Sequence, residues 1–233
     1  SRINDGVMEK VIPLVAKGMT EMELDHRVRE IYKEAGCEGV SFDPITAYGK
    51  NGADPHHATD DTKGKRGDCV VIDIGGFKEN YASDMTRTVF IGEVSDRARE
   101  IYNIVLAVQD LIIEKARPGM TLADLNNMVI DFYAQELPKV GLLKDGKTVR
   151  DYYYHSVSHS LGLDCHDVTT PSCQLLRPGM VITVEPGLYI EEEGIGIRIE
   201  NDIVITEEKP IDLSSNILKT VEDIEAFMAG NKQ

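Results

Sequence analysis

The hydrophobic positions at the start of the chain recur at helical spacing. They fall at Ile3, Val7, Val11, Ile12, Leu14 and Val15. A recurrence every three or four residues is typical of an amphipathic helix whose apolar side packs against a core. Because Ser1 already lies inside this pattern, we expect a processed or truncated product with residues missing upstream.

Three further helices are predicted from the residues that begin and end them. They run from Thr20 to about Gly36, from Ser95 to about Ala116 and from Thr121 to about Leu137. The first opens with the form of a capping box, in which Thr20 is followed by Glu23. Pro118-Gly119 ends the second, since proline does not continue a helix.

Short runs rich in β-branched residues alternate with these helices. They read VVID at 70–73, TVFI at 88–91, VITVE at 181–185 and IRIENDIVI at 197–205. Such runs predict strands. Since no linker or low-complexity segment interrupts the pattern, we predict a single α+β domain over residues 1–233.

The two halves of the chain share a pattern. A Gly-Met-Thr motif at 18–20 recurs at 119–121, 101 positions later. Asp73, at the end of one strand, corresponds to Glu185 at an offset of 112, and Asp84 corresponds to Glu200 at an offset of 116. The repeat predicts a pseudo-twofold axis between the halves.

Charge and apolar content exclude some classes of partner. The 233 residues carry 25 Lys and Arg against 40 Asp and Glu, for a formal net charge of −15. Because an acidic surface repels phosphate backbones, we predict no nucleic-acid partner. No run of 18 apolar residues occurs, so we expect neither a membrane span nor a signal peptide.

Cysteine usage indicates a reducing compartment. Cys37, Cys69, Cys165 and Cys173 form no Cys-x-x-Cys pair, which disfavours a thiolate zinc site. A nucleophilic pair of Cys165 with His166 is disfavoured because adjacent residues of an extended segment face opposite ways. We therefore predict a cytoplasmic protein with structural thiols.

The repeat brings four carboxylates toward one axis, namely Asp73, Asp84, Glu185 and Glu200. Taken singly, each is an ordinary turn residue or solvated strand residue. Two carboxylates about 4 Å apart repel by about 4 kcal/mol at an effective dielectric of about 20, so four together must be partly protonated or bind cations. His159 favours cations, because oxygen donors with one imidazole suit Mn, Co, Fe or Zn. Two such ions about 3.5–4 Å apart share a bridging water and lower its pKa.

Four motifs around these residues resemble the pita-bread metallopeptidases, the family of prolidase, aminopeptidase P and methionine aminopeptidase, with creatinase as a metal-free relative. The motifs read DIGGFKENYASDMTRT, HSLGLDCHD, TVEPG and RIEND, in the family's order. The resemblance implies a pita-bread fold and two divalent metal ions, with Mn favoured over Co, Zn or Fe. It puts the family's five metal ligands on Asp73, Asp84, His159, Glu185 and Glu200, which argues against a metal-free relative.

Finer features resemble the aminopeptidase P branch. The segments HSVSHSLGLDCHDV and GIGIRIENDIVIT are similar to its histidine segment and its last two ligand strands, and Arg198 is typical of the proline-directed members. Ser160 and Asp167 stand where prolidases commonly have Gly and Glu, and Asn80-Tyr81 replaces the usual Gly-Tyr. The N-terminal domain of aminopeptidase P is absent from this chain.

The resemblance also implies roles around the metal ligands. His56 would contact the substrate near the scissile bond, and His166 would hydrogen-bond the scissile carbonyl or the tetrahedral intermediate. Glu185 would carry a proton to the leaving nitrogen. His155 and Arg198 would bind the proline side of the substrate.

These expectations combine into one functional hypothesis, a dinuclear metal-dependent Xaa-Pro aminopeptidase. It would release the N-terminal residue from peptides with proline in the second position, and its full-length form would be a homodimer. A prolidase, which cleaves Xaa-Pro dipeptides, is the first alternative. A methionine aminopeptidase and a non-catalytic peptide-binding relative are further alternatives. The remaining histidines, His26 and His57, are interpreted as surface residues.

Overall fold

The computed structural model describes residues 1–55, 57–169 and 175–230. Its α-helices are α1 (Arg2–Val11), α2 (Glu21–Glu34), α3 (Asp96–Lys115), α4 (Leu122–Glu136) and α5 (Val221–Gly230). The first four confirm the predicted helices, and α5 is an addition that the apolar pattern did not single out. Thr20, Ser95 and Thr121 are the N-caps of α2, α3 and α4, as their positions in the sequence indicate.

Short antiparallel strands make up the rest of the regular structure. They are β1 (Gly39–Val40), β2 (Ile45–Tyr48), β3 (Cys69–Ile74), β4 (Gly76–Lys78), β5 (Tyr81–Ala82), β6 (Met85–Phe90), β7 (Val181–Val184), β8 (Gly187–Ile190), β9 (Ile195–Arg198), β10 (Asn201–Val204) and β11 (Ile211–Asp212). Within the described ranges they form sheets of order β2-β3-β6, β11-β10-β7, β1-β4-β5 and β8-β9. The predicted α+β class is confirmed.

One cluster of buried apolar side chains joins the two halves. Helix α2 packs against α1 and β2, while α3 packs against α4, β7, β8 and β9. The cluster includes Val11 and Val28 from the N-terminal helices, Val105 from α3, and Ile72 and Ile203 from the strands. Burying each such side chain contributes roughly 1.5–3 kcal/mol relative to exposure, which holds helices and sheets together around the strand ends.

The pseudo-twofold repeat is visible in the backbone pairing. Gly67 N donates to Ile91 O at 2.7 Å, and Gly179 N donates to Ile205 O at 2.8 Å. The two glycines have φ values of 97° and 89°, a left-handed conformation that glycine adopts without steric cost. These matched bonds put the two sheets β3-β6 and β7-β10 in equivalent positions.

The same bonds correct one correspondence in the predicted repeat. Strand β3 corresponds to β7 at an offset of 112 (Gly67 to Gly179), and β6 corresponds to β10 at an offset of 114 (Ile91 to Ile205). Glu200 is therefore equivalent to Thr86, and the predicted match of Asp84 with Glu200 is wrong by two residues. Because side chains two residues apart face the same side of a strand, Asp84 still faces the same region as Thr86.

The predicted strand at 197–205 is divided in two. Residues up to Arg198 belong to β9, which pairs with β8, and residues from Asn201 belong to β10, which pairs with β7. Between β9 and β10, Glu200 N donates to Thr86 O at 3.0 Å, so the backbone of Glu200 pairs with β6 and not with β7 or β8. Residues 195–203 are buried throughout, so the burial pattern does not mark the break.

None of the helices in the described ranges has the length and apolar character that a bilayer crossing requires.

The matched capping boxes generate a stability prediction. Thr20 Oγ1 accepts from Glu23 N, and Thr121 Oγ1 accepts from Asp124 N, each at 3.1 Å. Replacement of either threonine by alanine leaves a helix N–H without its acceptor and should lower the free energy of unfolding by about 1 kcal/mol. Urea denaturation measures this, with exposed Thr169→Ala as the control. Equal stability of all three variants would contradict it.

Candidate metal centre

The five predicted metal ligands line one cavity of about 420 Å³, and their side chains come from separate elements. Asp73 lies near the end of β3, and Asp84 immediately precedes β6. Glu185 immediately follows β7, and Glu200 lies between β9 and β10. His159 is on the segment beside β7, where Thr183 N donates to His159 O at 3.1 Å. The tertiary fold thus brings together residues up to 127 positions apart in sequence.

His159 is the centre of this group. Its Nε2 lies 3.4 Å from Asp84 Oδ2 and 3.5 Å from Glu185 Oε1. Its Nδ1 lies 3.2 Å from Ser160 O, an arrangement that orients the ring with Nε2 toward the carboxylates. Asp84, His159 and Glu200 each offer a ligand atom within 4.8 Å of the others, so a cation between them would have donors from three elements.

Arg198 links the carboxylates to the cavity wall. Its side chain is only 3% exposed, and its Nη2 lies 2.7 Å from Asp73 Oδ2. Its Nε donates to Thr86 Oγ1 at 3.1 Å, and that hydroxyl donates to Glu200 Oε2 at 2.8 Å. Its Nη1 donates to Tyr189 OH at 2.9 Å. One guanidinium therefore holds two predicted ligands in place, directly or through one hydroxyl.

Burial of like charges raises the pKa of three of the carboxylates. Burial raises the pKa of Asp73 to about 6, with Arg198 opposing and Asp84 adding to the rise. Burial likewise raises the pKa of Glu185 to about 7, with His159 opposing. The pKa of Glu200 lies well above its usual value because of burial and the charge of Asp84. Without cations these carboxylates therefore keep their protons to a higher pH than they would in water.

The pKa of His159 is raised as well, but for a different reason. Burial lowers the pKa of His159, but the hydrogen bond to Asp84 and the charges of Glu185 and Asp84 outweigh burial and raise it to about 9. An imidazolium among carboxylates is the proton-loaded counterpart of a metal-bound imidazole.

The donor set fits divalent cations. Within the described part of the chain, no hydrogen bond reaches the buried Oδ1 atoms of Asp73 and Asp84. A buried carboxylate oxygen without a partner is costly, and a cation in the cavity would satisfy both. Four carboxylates with one imidazole form a set that binds Mn, Co, Fe or Zn.

The predicted substrate residues lie around the same cavity wherever the structure describes them. His155, His166 and Arg198 all line it. His155 Nε2 lies 2.8 Å from Tyr189 OH, so this ring is oriented by the same tyrosine as Arg198. His56 lies outside the described residues.

Two residues differ from their interpretation in the sequence. Cys165, interpreted as a structural thiol, lines the cavity, and its Sγ donates to Asp84 Oδ2 at 3.0 Å. Burial raises its pKa, which keeps it a protonated thiol and disfavours a nucleophilic role. His57, interpreted as a surface residue, is half-buried with Nε2 2.6 Å from Glu21 Oε2. Sequence spacing carried no signal for either contact, because each partner lies far away in the chain.

Fold and donor set together define the class of protein. Residues 1–207 match the pattern of metallopeptidase family M24, and the chain belongs to this family. Its fold is the α+β pita-bread fold, since it superposes on zinc-substituted aminopeptidase P of Escherichia coli, solved with product, with a TM-score of 0.92 at 34% identity. The superposition covers 100% of this chain and 57% of that one.

Curated relatives carry two related names. The Xaa-Pro aminopeptidase of Escherichia coli strain K12 is 37% identical over an alignment of 246 positions, which covers 97% of this chain and 55% of that protein. The Xaa-Pro dipeptidase of Pyrococcus furiosus is 38% identical over 208 positions, which cover 88% of this chain and 56% of that protein. The chain therefore spans about half the length of the curated relatives it matches.

The pKa shifts predict that metal-free protein loses stability as the pH rises from about 4 to about 9. For Asp73, Glu185 and His159 the folded pKa lies above the ordinary value. Their stabilising contributions are therefore complete below the unfolded pKa and are lost as the pH rises through about 6, 7 and 9 respectively. Thermal unfolding of chelator-treated protein across this range measures the loss, and added Mn²⁺ should reverse it most at high pH.

Glu200→Gln separates this effect from general charge repulsion. The amide resembles the protonated acid and can still accept from Thr86, so it should stabilise metal-free protein at alkaline pH and flatten the pH dependence. Glu208→Gln, which removes an exposed charge, is the matched control. The interpretation fails if the two variants melt alike at every pH.

Proposed function

We propose that this chain is the catalytic part of a dinuclear metal-dependent Xaa-Pro aminopeptidase. The observation that carries the proposal is the convergence of four carboxylates and one histidine on a single cavity, with two further histidines and a buried arginine on its wall. Membership of a metallopeptidase family and the name of the Escherichia coli relative support it. The peptide substrate would have proline in its second position.

In this proposal the metal ligands are Asp73, Asp84, His159, Glu185 and Glu200. They would hold two divalent ions, with Mn favoured because four of the five donors are carboxylates and carboxylate oxygen suits Mn. When bound, the ions supply Lewis acidity and lower the pKa of water for attack on the scissile carbonyl.

Glu185 would carry the proton to the leaving nitrogen. The bond before proline is a tertiary amide, so the departing nitrogen carries no hydrogen and must receive one. The Glu185 side chain faces the cavity beside His159. In that position its carboxylate would take a proton from the attacking water and pass it to the leaving nitrogen.

The other residues would orient substrate and stabilise charge. His166, an exposed residue at the cavity, would hydrogen-bond the scissile carbonyl as charge develops on it. His155, held between Tyr189 OH and Ser156 O, would face the proline side. Arg198 would contribute positive charge to the same side while it positions Asp73. His56 would contact the substrate near the scissile bond.

The proposal includes a compartment and an assembly. Cys37, Cys69 and Cys165 are unpaired thiols, as expected in a reducing compartment, which supports a cytoplasmic enzyme. A homodimer is proposed for the full-length protein, of which this chain is about half if it has the length of its relatives.

Dipeptidase activity is the second candidate, because a relative at 38% identity carries the name Xaa-Pro dipeptidase. A dipeptidase must recognise a free carboxylate directly after proline. The two activities therefore differ in which substrate length the cavity accepts.

Metal content tests the ligand assignment. Wild-type chain should bind two Mn²⁺ ions, and Asp84→Asn should lose at least one ion and lower turnover by about a hundredfold or more, since even outer partners of metal ligands are worth about 10- to 100-fold. Elemental analysis and a peptide cleavage assay measure both. Asp164→Asn, an exposed residue of the neighbouring loop, is the control. Two retained ions with normal turnover in Asp84→Asn would refute the assignment.

Relative rates on three peptides test the substrate class. We expect cleavage of Ala-Pro-Ala in preference to Ala-Pro, because the aminopeptidase cavity does not require a carboxylate after proline, and little cleavage of Met-Ala-Ser. Chromatographic detection of the released N-terminal residue measures each rate on the same sample. Faster hydrolysis of Ala-Pro moves the assignment to the dipeptidase, and preference for Met-Ala-Ser moves it to methionine aminopeptidase.

A further inference from the structure

A thiol lies inside the carboxylate cavity, beside two histidines. Cys165 is 9% exposed, and its Sγ lies 3.0 Å from Asp84 Oδ2. The rings of His159 and His166 meet edge to face, with centroids 4.3 Å apart. One ligand atom each of His159, Cys165 and His166 lies within 4.8 Å of the other two. These three residues form a donor set distinct from the carboxylates.

This donor set prefers a different class of ion. Thiolate and imidazole are ligand types that bind Zn²⁺ well, whereas a set dominated by carboxylates suits harder ions such as Mn. Asp84 Oδ2, which lies 3.4 Å from His159 Nε2 as well as close to the thiol, offers an oxygen for a fourth, tetrahedral position. A small inward movement of the three side chains would bring their donors to bonding distance.

We propose that His159, Cys165 and His166 form a second metal site, for a thiophilic divalent cation of the Zn²⁺ type. Binding replaces the Sγ proton by the cation and releases that proton to solvent. The site differs in chemistry from the carboxylate centre but shares His159 with it, and also Asp84 where that carboxylate fills the fourth position.

The shared ligand makes the two sites mutually exclusive. His159 Nδ1 faces Ser160 O at 3.2 Å, so Nε2 is the nitrogen left for a cation. Nε2 is also the atom that faces Asp84 and Glu185. One lone pair serves one ion, so a cation on the thiol site takes His159 from the carboxylate set and covers His166. Inhibition by Zn²⁺ as a consequence rests on the proposed function, but the binding itself does not.

Cd²⁺, a thiophilic ion with an observable thiolate charge-transfer band in the ultraviolet, is the probe. When chelator-treated wild-type chain is titrated with Cd²⁺, this band should appear and correspond to one Cd²⁺ ion bound per chain. Cys165→Ser should abolish the band and weaken Cd²⁺ binding by at least about tenfold, the smaller loss seen for mere outer partners of metal sites. Its Mn²⁺ affinity should change little, because a serine hydroxyl can still donate to Asp84. Saturating Mn²⁺ should suppress the wild-type band competitively.

Variants of the other cysteines and a second Cys165 variant serve as controls. Cys37→Ser, Cys69→Ser and Cys173→Ser should retain the band, and Cys165→Val, which fills the same space without a donor, should lose it even if serine perturbs folding. A band that survives both Cys165 variants, or that disappears in Cys173→Ser, overturns the proposal.

The same measurements separate this proposal from the proposed function. A chain without peptidase activity that shows the Cys165-dependent band supports the thiol site and refutes the function. If the chain is an active Xaa-Pro peptidase and its Cd²⁺ binding is the same with and without Cys165, the proposed function is supported and the thiol site is refuted. In active protein, Zn²⁺ inhibition should need about tenfold more Zn²⁺ in Cys165→Ser than in Cys37→Ser.

Discussion

The mutual repulsion of closely placed carboxylates governs the contacts around the cavity. Asp73, Asp84, Glu185 and Glu200 surround one cavity, and two carboxylates about 4 Å apart repel by about 4 kcal/mol at an effective dielectric of about 20. Burial, together with the charges of the neighbouring carboxylates, raises the pKa of Asp73 and of Glu185 in the metal-free protein. Because metal ligands must be deprotonated, a cation that binds here would displace the protons of these carboxylates.

A small number of polar contacts hold these charges in position. Arg198 pairs with Asp73 and donates to Thr86, which in turn donates to Glu200. From the opposite face of β6, Arg87 Nη1 donates to Glu200 O at 2.6 Å. Both arginines connect the N-terminal sheet to the C-terminal strands. The contacts that keep the two halves in register therefore also set the geometry of the ligands.

The cavity carries two kinds of donor around one histidine. Asp84 and Glu185 lie 3.4 and 3.5 Å from His159 Nε2, and Cys165 and His166 each have a donor atom within 4.8 Å of a ligand atom of the same ring. A protein binds the right ion through geometry and ligand type more than through raw affinity. With a thiol next to an oxygen-rich centre, the relative concentrations of Mn²⁺ and Zn²⁺ would decide which ion binds His159.

Local elements and the family of this protein could be predicted from short stretches of the sequence. Capping residues such as Thr20 and Ser95 mark helix starts because the first N–H groups of a helix need an acceptor. The capping side chain that accepts lies only two or three residues away in the sequence. The five proposed metal ligands were predicted from short motifs, and all five line one cavity. Tertiary structure alone decided the division of 197–205 at Glu200 and the equivalence of that residue with Thr86 instead of Asp84. It also decided that Cys165 meets Asp84 across 81 positions of chain. Local patterns report backbone preferences over a few residues, whereas strand register and long-range packing depend on how distant segments bury their surfaces together.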